Sequence, residues 1–153
     1  MDKIAVIGGL GALSGADLFF KLLKNKSALK NQKNYHFIFE QQLYSQIESA
    51  LLHEQDIKSR KFYTFTLCKN FEQKNVSKIS LPCFASHSFI DEIQKETSIT
   101  IVNIFEAIAN YLSLKFEKGT KIGVLTSSFV KEFFLLKNIF KTMNWHIPQI
   151  KAS

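Results

Sequence analysis

Lys3-Ile4-Ala5-Val6-Ile7-Gly8-Gly9-Leu10-Gly11 is the stretch that decides the fold. A short apolar run ends in a glycine-rich turn, and Ala16–Leu23 downstream is apolar at helical spacing. A continuous apolar run marks a strand covered on both faces, whereas a strand with one wet face alternates. The glycines permit a tight turn, and the helix carries the chain back. Strand, turn and helix together open a parallel α/β unit.

The alternation continues outward from this unit. Tyr35–Phe39 reads as a second strand and residues 45–73 as one long or broken helix. Ile79–Leu81 reads as a third strand closed by Pro82, residues 86–96 as a helix, and Ile99–Val102 as a fourth strand. Phe105–Phe116 repeats apolar residues at helical spacing, Lys121–Leu125 forms a fifth strand, Val130–Met143 a helix, and Trp145-His146-Ile147 the start of a sixth strand. Parallel neighbours need crossover connections, which these helices supply, so the expectation is a parallel sheet sandwiched by helices. Lys121-Ile122-Gly123-Val124-Leu125 nearly copies Lys3-Ile4-Ala5-Val6-Ile7. The copy is either the chance likeness of two buried strands or the first strand of a second lobe.

Composition narrows the class of protein. With 153 residues, 46% hydrophobic and 22% charged, global disorder is excluded, and Gly 6 with Pro 2 excludes a collagenous chain. No apolar run approaches the roughly 18 residues that span a bilayer, and the N-terminus lacks a secretory pattern. A cytoplasmic location with no membrane partner is therefore expected. The net charge of +7 rests on twenty basic residues of which one alone, Arg60, is arginine. Nucleic-acid binders commonly rely on arginine's planar fork, and the lysines here are scattered. The charge reads as a solvated surface, without a nucleic-acid partner and with some attraction for acidic substrates. His36, His53, His87 and His146 are dispersed, and Cys83/His87 alone has a ligand-like spacing with a cysteine. Two ligands do not close a zinc site, so no metal is expected.

Ligands of parallel α/β sheets bind outside the carboxyl ends of the strands, and three such ends carry chemistry. Gly8-Gly9-Leu10-Gly11 lets backbone approach a ligand and offers N–H groups to an anion, or serves only as a turn. Pro82-Cys83-Phe84-Ala85-Ser86-His87 puts Cys83 at a strand-to-helix junction, where a helix N-terminus favours thiolate. Its other reading is a small buried residue. Cys68, between Leu67 and Lys69 in a helical stretch, reads as structural. Thr126-Ser127-Ser128 either holds a carboxylate or caps a helix.

Taken together, these segments resemble the aspartate/glutamate racemase family. Lys3–Gly11 with Ala16-Asp17-Leu18-Phe19 is similar to that family's strand, Gly-Gly-Met-Gly turn and Ala-Asp-Phe-Phe helix. Pro82-Cys83-Phe84-Ala85-Ser86-His87 is similar to its Pro-Cys-Asn-Thr-Ala-His, which carries the first catalytic cysteine. Asp91-Glu92-Ile93-Gln94, Ser98-Ile99 and Lys121–Thr126 match its continuation into a second lobe. The resemblance implies an α/β fold in which residues 1–116 are the N-terminal lobe of a two-lobed racemase-like fold. Residues 117–153 are the opening strand and helix of the second.

The resemblance also implies cofactor-independent racemisation of an acidic amino acid or related carboxylate. One cysteine thiolate removes the α-proton and an opposite thiol delivers a proton to the other face, while the site holds both carboxylates. Cys83 maps to the first cysteine. Gly9, Leu10, Gly11, Ser14, Gln42, Phe84, Ala85, Ser86 and Ser127 map to substrate-binding positions. Phe84 and Ala85 replace the family's Asn and Thr, so two side-chain hydrogen bonds are lost, and Ser14-Gly15 replaces its Ala-Thr. The Gly-Cys-Thr-Glu of the second cysteine has no counterpart, its expected place lying beyond Ser153. The resulting expectation is a racemase-like protein impaired in full racemisation. The alternatives are a degenerate binding or interaction module, with a homo-oligomer as one assembly, and a one-cysteine decarboxylase or isomerase of the same superfamily.

Overall fold

The computed structural model describes residues 1–41, 54–126 and 145–146. Contacts divide the chain into two compact units, Met1–Asn103 and Ile104–Ser153. The first unit runs β1 (Asp2–Ile7), α1 (Ala12–Lys24), α2 (Lys26–Lys30), β2 (Tyr35–Glu40), α3 (Glu54–Gln73), β3 (Lys78–Ser80), α4 (Ile90–Glu96) and β4 (Thr100–Val102). The second unit contains α5 (Ile104–Lys115), β5 (Ile122–Gly123) and β6 (Trp145–His146).

In the first unit the four strands form one parallel sheet in the order β2-β1-β3-β4. Register places Ile38, Ala5, Ile79 and Ile101 in one row across all four strands. With Ile7 and Leu81, this face packs under Leu67, Cys68 and Phe71 of α3 and Ile90 and Ile93 of α4. Full burial of an aliphatic side chain such as Ile79 stabilises by about 1.5–3 kcal/mol. The opposite face presents Ile4 and Val6 beside Phe37 and Phe39. There α1 supplies Phe19, whose ring centroid lies 4.1 Å from that of Phe39. The two faces follow from handedness. The chain moves one way across the sheet from β1 to β2 and the other way from β2 to β3 and β4, so right-handed crossovers put α1 on one face and α3 and α4 on the other.

Local chemistry sets the element ends. Asn25 Oδ1 accepts the backbone N–H groups of Ser27 and Ala28, both at 3.0 Å, and starts α2, a short helix the apolar pattern does not predict. At the end of α3, Asn75 adopts φ 54, Val76 N–H donates to Phe71 O at 3.1 Å, and Asn75 N–H donates to Glu72 O at 3.0 Å. This is a Schellman ending with asparagine in the left-handed position, and Val76 and Phe71 join the core. The helix expected over residues 86–96 is in two parts: a 3-10 turn, Ala85–Ser88, and then α4. Ser88 Oγ donates to Ala85 O at 2.8 Å, closing the turn locally, and Phe89 at φ -122 and ψ 9 breaks the helical path. The strand expected over Lys121–Leu125 is reduced to Ile122–Gly123, which pairs in parallel with Trp145–His146. The helix expected over Val130–Met143 and the first part of that over 45–73 lie outside the described residues.

Side-chain carbonyl chemistry ties α3 and α4 to the edge strand. Gln94 Oε1 accepts Ile101 N–H at 2.8 Å while its Nε2 donates to Ile99 O at 3.0 Å, so a side-chain amide satisfies the open edge of β4. Glu72 Oε1 accepts from Thr97 Oγ1 and Ser98 N, each at 2.7 Å. Its other oxygen takes Lys69 Nζ at 3.0 Å. These bonds, the Thr97 hydroxyl foremost, hold the Glu72 carboxyl down at about 2. A depressed carboxyl stabilises the fold above its unfolded value near 4.5 and loses that contribution as pH falls toward 2. Glu72→Gln is therefore expected to lower the thermal midpoint at pH 7, with the gap to the parent chain narrowing as pH falls from 5 toward 2. Thermal melts across that range check it, and a gap independent of pH would contradict the account.

Candidate active site

β1 and β3 are neighbours, but the chain leaves β1 toward α1 and leaves β3 toward α4 on the opposite face. Departures to opposite faces make this the switch point of the sheet, where parallel α/β proteins form their ligand crevice at the carboxyl edge. Gly8–Gly11 forms one wall and Leu81–Phe84 the other, because Val6 pairs with Ser80. Gln41 reaches the same edge from β2, since Gly8 N–H extends the ladder to Glu40 O at 2.8 Å.

The glycine loop is tightly held. A Cβ on Gly8 would lie 2.1 Å from Gln41 Oε1, and one on Gly15 would lie 3.0 Å from the same atom. The Gln41 amide thus occupies the space that side chains at Gly8 and Gly15 would take, and α1 approaches β1 closely there. Gly9 sits at φ 88, in the region that favours glycine. Ser14 Oγ donates to Gly11 O at 2.7 Å, and the same carbonyl accepts Ser14 N–H at 3.1 Å. The Ser14 hydroxyl proton is thereby committed to the first turn of α1. From α3, Tyr63 Oη donates to Gly8 O at 3.3 Å and Arg60 Nη1 donates to Leu10 O at 3.4 Å. Leu10 is buried, so its side chain faces the protein interior and its backbone lines the loop.

On the facing loop, Cys83 is half-buried and has a free thiol. It enters the 3-10 turn rather than an α-helix. His87 is buried, and its Nδ1 lies 2.9 Å from Cys83 O. A carbonyl only accepts, so Nδ1 carries the proton in this bond. Burial holds His87 below its ordinary value, against the opposing pull of backbone hydrogen bonds to Cys83 and Val102 and of the Asp91 charge. The ring therefore orients the Cys83 peptide from inside. Phe84 is 41% exposed and Ala85 half-buried. Ser86 is fully buried, and its hydroxyl has no hydrogen-bond partner among the described residues. Cys68 is also buried, on the core side of α3, and desolvation first, with the Glu72 charge second, pushes its thiol up to about 12.

Among the residues expected from sequence, the two loops gather Gly9, Leu10, Gly11 and Ser14 on one side and Cys83, Phe84, Ala85 and Ser86 on the other. Gln42 and Ser127 lie outside the described residues. Gln41, the neighbour of the expected Gln42, also acts on this edge, as do Arg60 and Tyr63, which the sequence reading did not assign to the site. The available signal was compositional, a lone arginine within a helix whose buried stripe is Arg60, Thr64, Leu67, Cys68 and Phe71. Among the described residues, no group of three or more His, Cys, Asp or Glu could hold a metal ion, and no helix is long and apolar enough to cross a membrane.

Comparison with known proteins bears on the family and the fold. Residues 7–152 match the family described as Asp/Glu/Hydantoin racemase. The aspartate racemase of Picrophilus torridus superposes with a TM-score of 0.76 at 16% identity, over 97% of this chain and 63% of that one. An aspartate racemase homologue from Pyrococcus horikoshii gives 0.73 at 18% identity, over 97% of this chain and 65% of that one. Glutamate racemase from Campylobacter jejuni gives 0.56 at 14% identity, over 94% and 55%. At such identities the likeness establishes the fold, and the chain spans less than two thirds of the length of each of these proteins.

Two outcomes follow from the buried groups beside Cys83. An unsatisfied buried hydroxyl destabilises, so Ser86→Ala is expected to raise the chemical-denaturation stability by about 1 kcal/mol. A loss of stability would show that the hydroxyl has a partner. The depressed His87 makes the fold weaken as pH falls below its unfolded value near 6.5, because the unfolded chain takes up the proton first. His87→Asn, which keeps a donor near Nδ1, should flatten the pH dependence of stability between pH 7 and 5. An unchanged slope would assign it to other groups.

Proposed function

We propose an activity from one premise: the chain belongs to the Asp/Glu/hydantoin racemase family. The reading is acid–base chemistry at the α-carbon of an acidic amino acid or a related carboxylate, with the Cys83 thiolate as the base. The observation that carries it is the free, half-buried thiol of Cys83 on the loop facing Gly8–Gly11 across the β1–β3 crevice. The thiolate takes the α-proton and becomes a thiol, and the electron pair passes to the substrate's α-carbon and its carboxylate. Return of a proton from the same thiol restores the original configuration. Inversion needs a second acid on the opposite face, and Cys68, buried with its thiol near 12, is not suited to supply it. Residues 1–153 thus contribute one proton-transferring face. Residues 1–116 are read as the N-terminal lobe and 117–153 as the opening of a second, a reading supported by the parallel pairing of β5 with β6.

One observation favours a second reading. Phe84 and Ala85 bring no side-chain hydrogen bond to the crevice, and the exposed Phe84 ring offers an apolar contact. A binding module for a carboxylate with an apolar substituent would use the same crevice without chemistry.

Deuterium exchange separates the two. L- and D-aspartate and L- and D-glutamate are incubated in D2O and the α-position is followed by proton NMR, with chiral chromatography in parallel. The expected result is deuterium at the α-carbon of one enantiomer, little of its mirror image, and at least a roughly 100-fold loss in Cys83→Ser. Exchange that survives in Cys83→Ser would remove the thiol from the mechanism. No exchange with any of the four acids would favour the binding module.

A further inference from the structure

The glycine loop is oriented by α3. Gly8 O accepts Tyr63 Oη and Leu10 O accepts Arg60 Nη1, and the two donors stand one helical turn apart on α3. Among the described residues there are no cis peptide bonds. In a trans peptide the N–H of the next residue points opposite to the carbonyl. Gly9 N–H and Gly11 N–H are therefore turned away from α3. Among the described residues, neither they nor Leu10 N–H donate to any protein group. Loop amides without partners at the carboxyl edge of a parallel sheet form a concavity suited to an anion. A loop with a glycine at φ 88 has alternative peptide orientations of similar energy. The two α3 side chains select among them.

We propose that Arg60 and Tyr63 are positioning residues that lock the Gly8 and Leu10 carbonyls and thereby present the Gly9 and Gly11 amides to a substrate carboxylate. The proposal rests on the carboxylate-binding part of the proposed function but not on its proton transfer. Arg60 is buried, so it acts through the loop backbone rather than by touching the ligand. The sole arginine of a lysine-rich chain is used where a rigid fork fixes a backbone carbonyl more firmly than a mobile ammonium would.

The test is a titration of the nitrogen-15-labelled chain with L-aspartate, following the Gly9 and Gly11 amide resonances. The expected result is saturable shifts of both amides in the parent chain and in Cys83→Ser, because binding precedes chemistry. Arg60→Ala should weaken binding roughly tenfold. Tyr63→Phe, which keeps the ring and removes the hydroxyl alone, should weaken it by a smaller factor, and Arg60→Lys should restore part of the loss. Where Arg60→Ala does not fold, Tyr63→Phe and Arg60→Lys carry the test. In Tyr63→Phe the loss of affinity should exceed any loss in the rate of α-proton exchange at saturating aspartate, a split between affinity and turnover that general loosening of the fold would not give. Amides that do not move with aspartate while Cys83-dependent exchange proceeds would overturn the proposal and leave the reaction standing. Amides that move and depend on Arg60 and Tyr63 in a chain without exchange would leave the proposal standing and overturn the reaction. Binding in Tyr63→Phe and Arg60→Lys equal to the parent would overturn the proposal outright.

Discussion

The pairing of β1 with β3 is the constraint on which the rest of the first unit depends. Ala5 and Ile79 stand opposite one another with neither side chain reached by solvent. β3 is three residues long, and Ile79 is its one apolar side chain, so this single register anchors it. A one-residue slip would turn Lys78 or Ser80 into the core in its place. With the register held, the two strands end together, and the chain leaves them toward opposite faces. The crevice is thus a consequence of topology before any functional side chain is considered.

The parts of this arrangement that were legible in sequence are those with short-range causes. Ile4–Ile7 is a continuous apolar run and Gly8–Gly11 a turn signal, so β1, its loop and the start of α1 could be read directly. Cys83 was readable because Pro82 ends the strand and apolar periodicity resumes beyond it. The 3-10 turn at Ala85–Ser88 was not, since apolar spacing over 86–96 fits one helix and the deciding bond, Ser88 Oγ to Ala85 O, is a rotamer choice. The end of α3 falls at residue 73 as expected, but the cap that closes it could not be read. Asparagine in the left-handed position substitutes for the expected glycine, and Lys74-Asn75 carries no apolar signal.

The contacts that shape the candidate site were the least legible. Arg60 and Tyr63 reach Leu10 and Gly8 across separations of 50 and 55 residues. Periodicity reports which face of α3 is buried, and an arginine on that face looks like an error in the stripe. The anomaly has a physical resolution: a charged fork can be buried where it meets a backbone carbonyl outside the sheet, here Leu10 O. Gln41 belongs to the same class. Its value lies in filling the space left by Gly8 and Gly15, and no property of glutamine alone announces that.

The two cysteines show how far the fold, rather than residue type, assigns chemistry. Cys68 lies in the stripe beneath α3, where burial and the neighbouring Glu72 charge both disfavour the thiolate and hold the thiol near 12. At neutral pH its thiolate fraction is negligible, so it packs as a small apolar residue. Cys83 stands where β3 ends and the chain turns away from β1, with its peptide oriented from inside by His87 and its side chain within reach of solvent. The role proposed for Cys83 therefore rests on its place in the fold rather than on residue type. A thiol that is to move a proton must change charge, and a site that permits that change must keep access to water or to fixed donors. Of the two positions, the carboxyl edge of the sheet provides such access and the core beneath α3 does not.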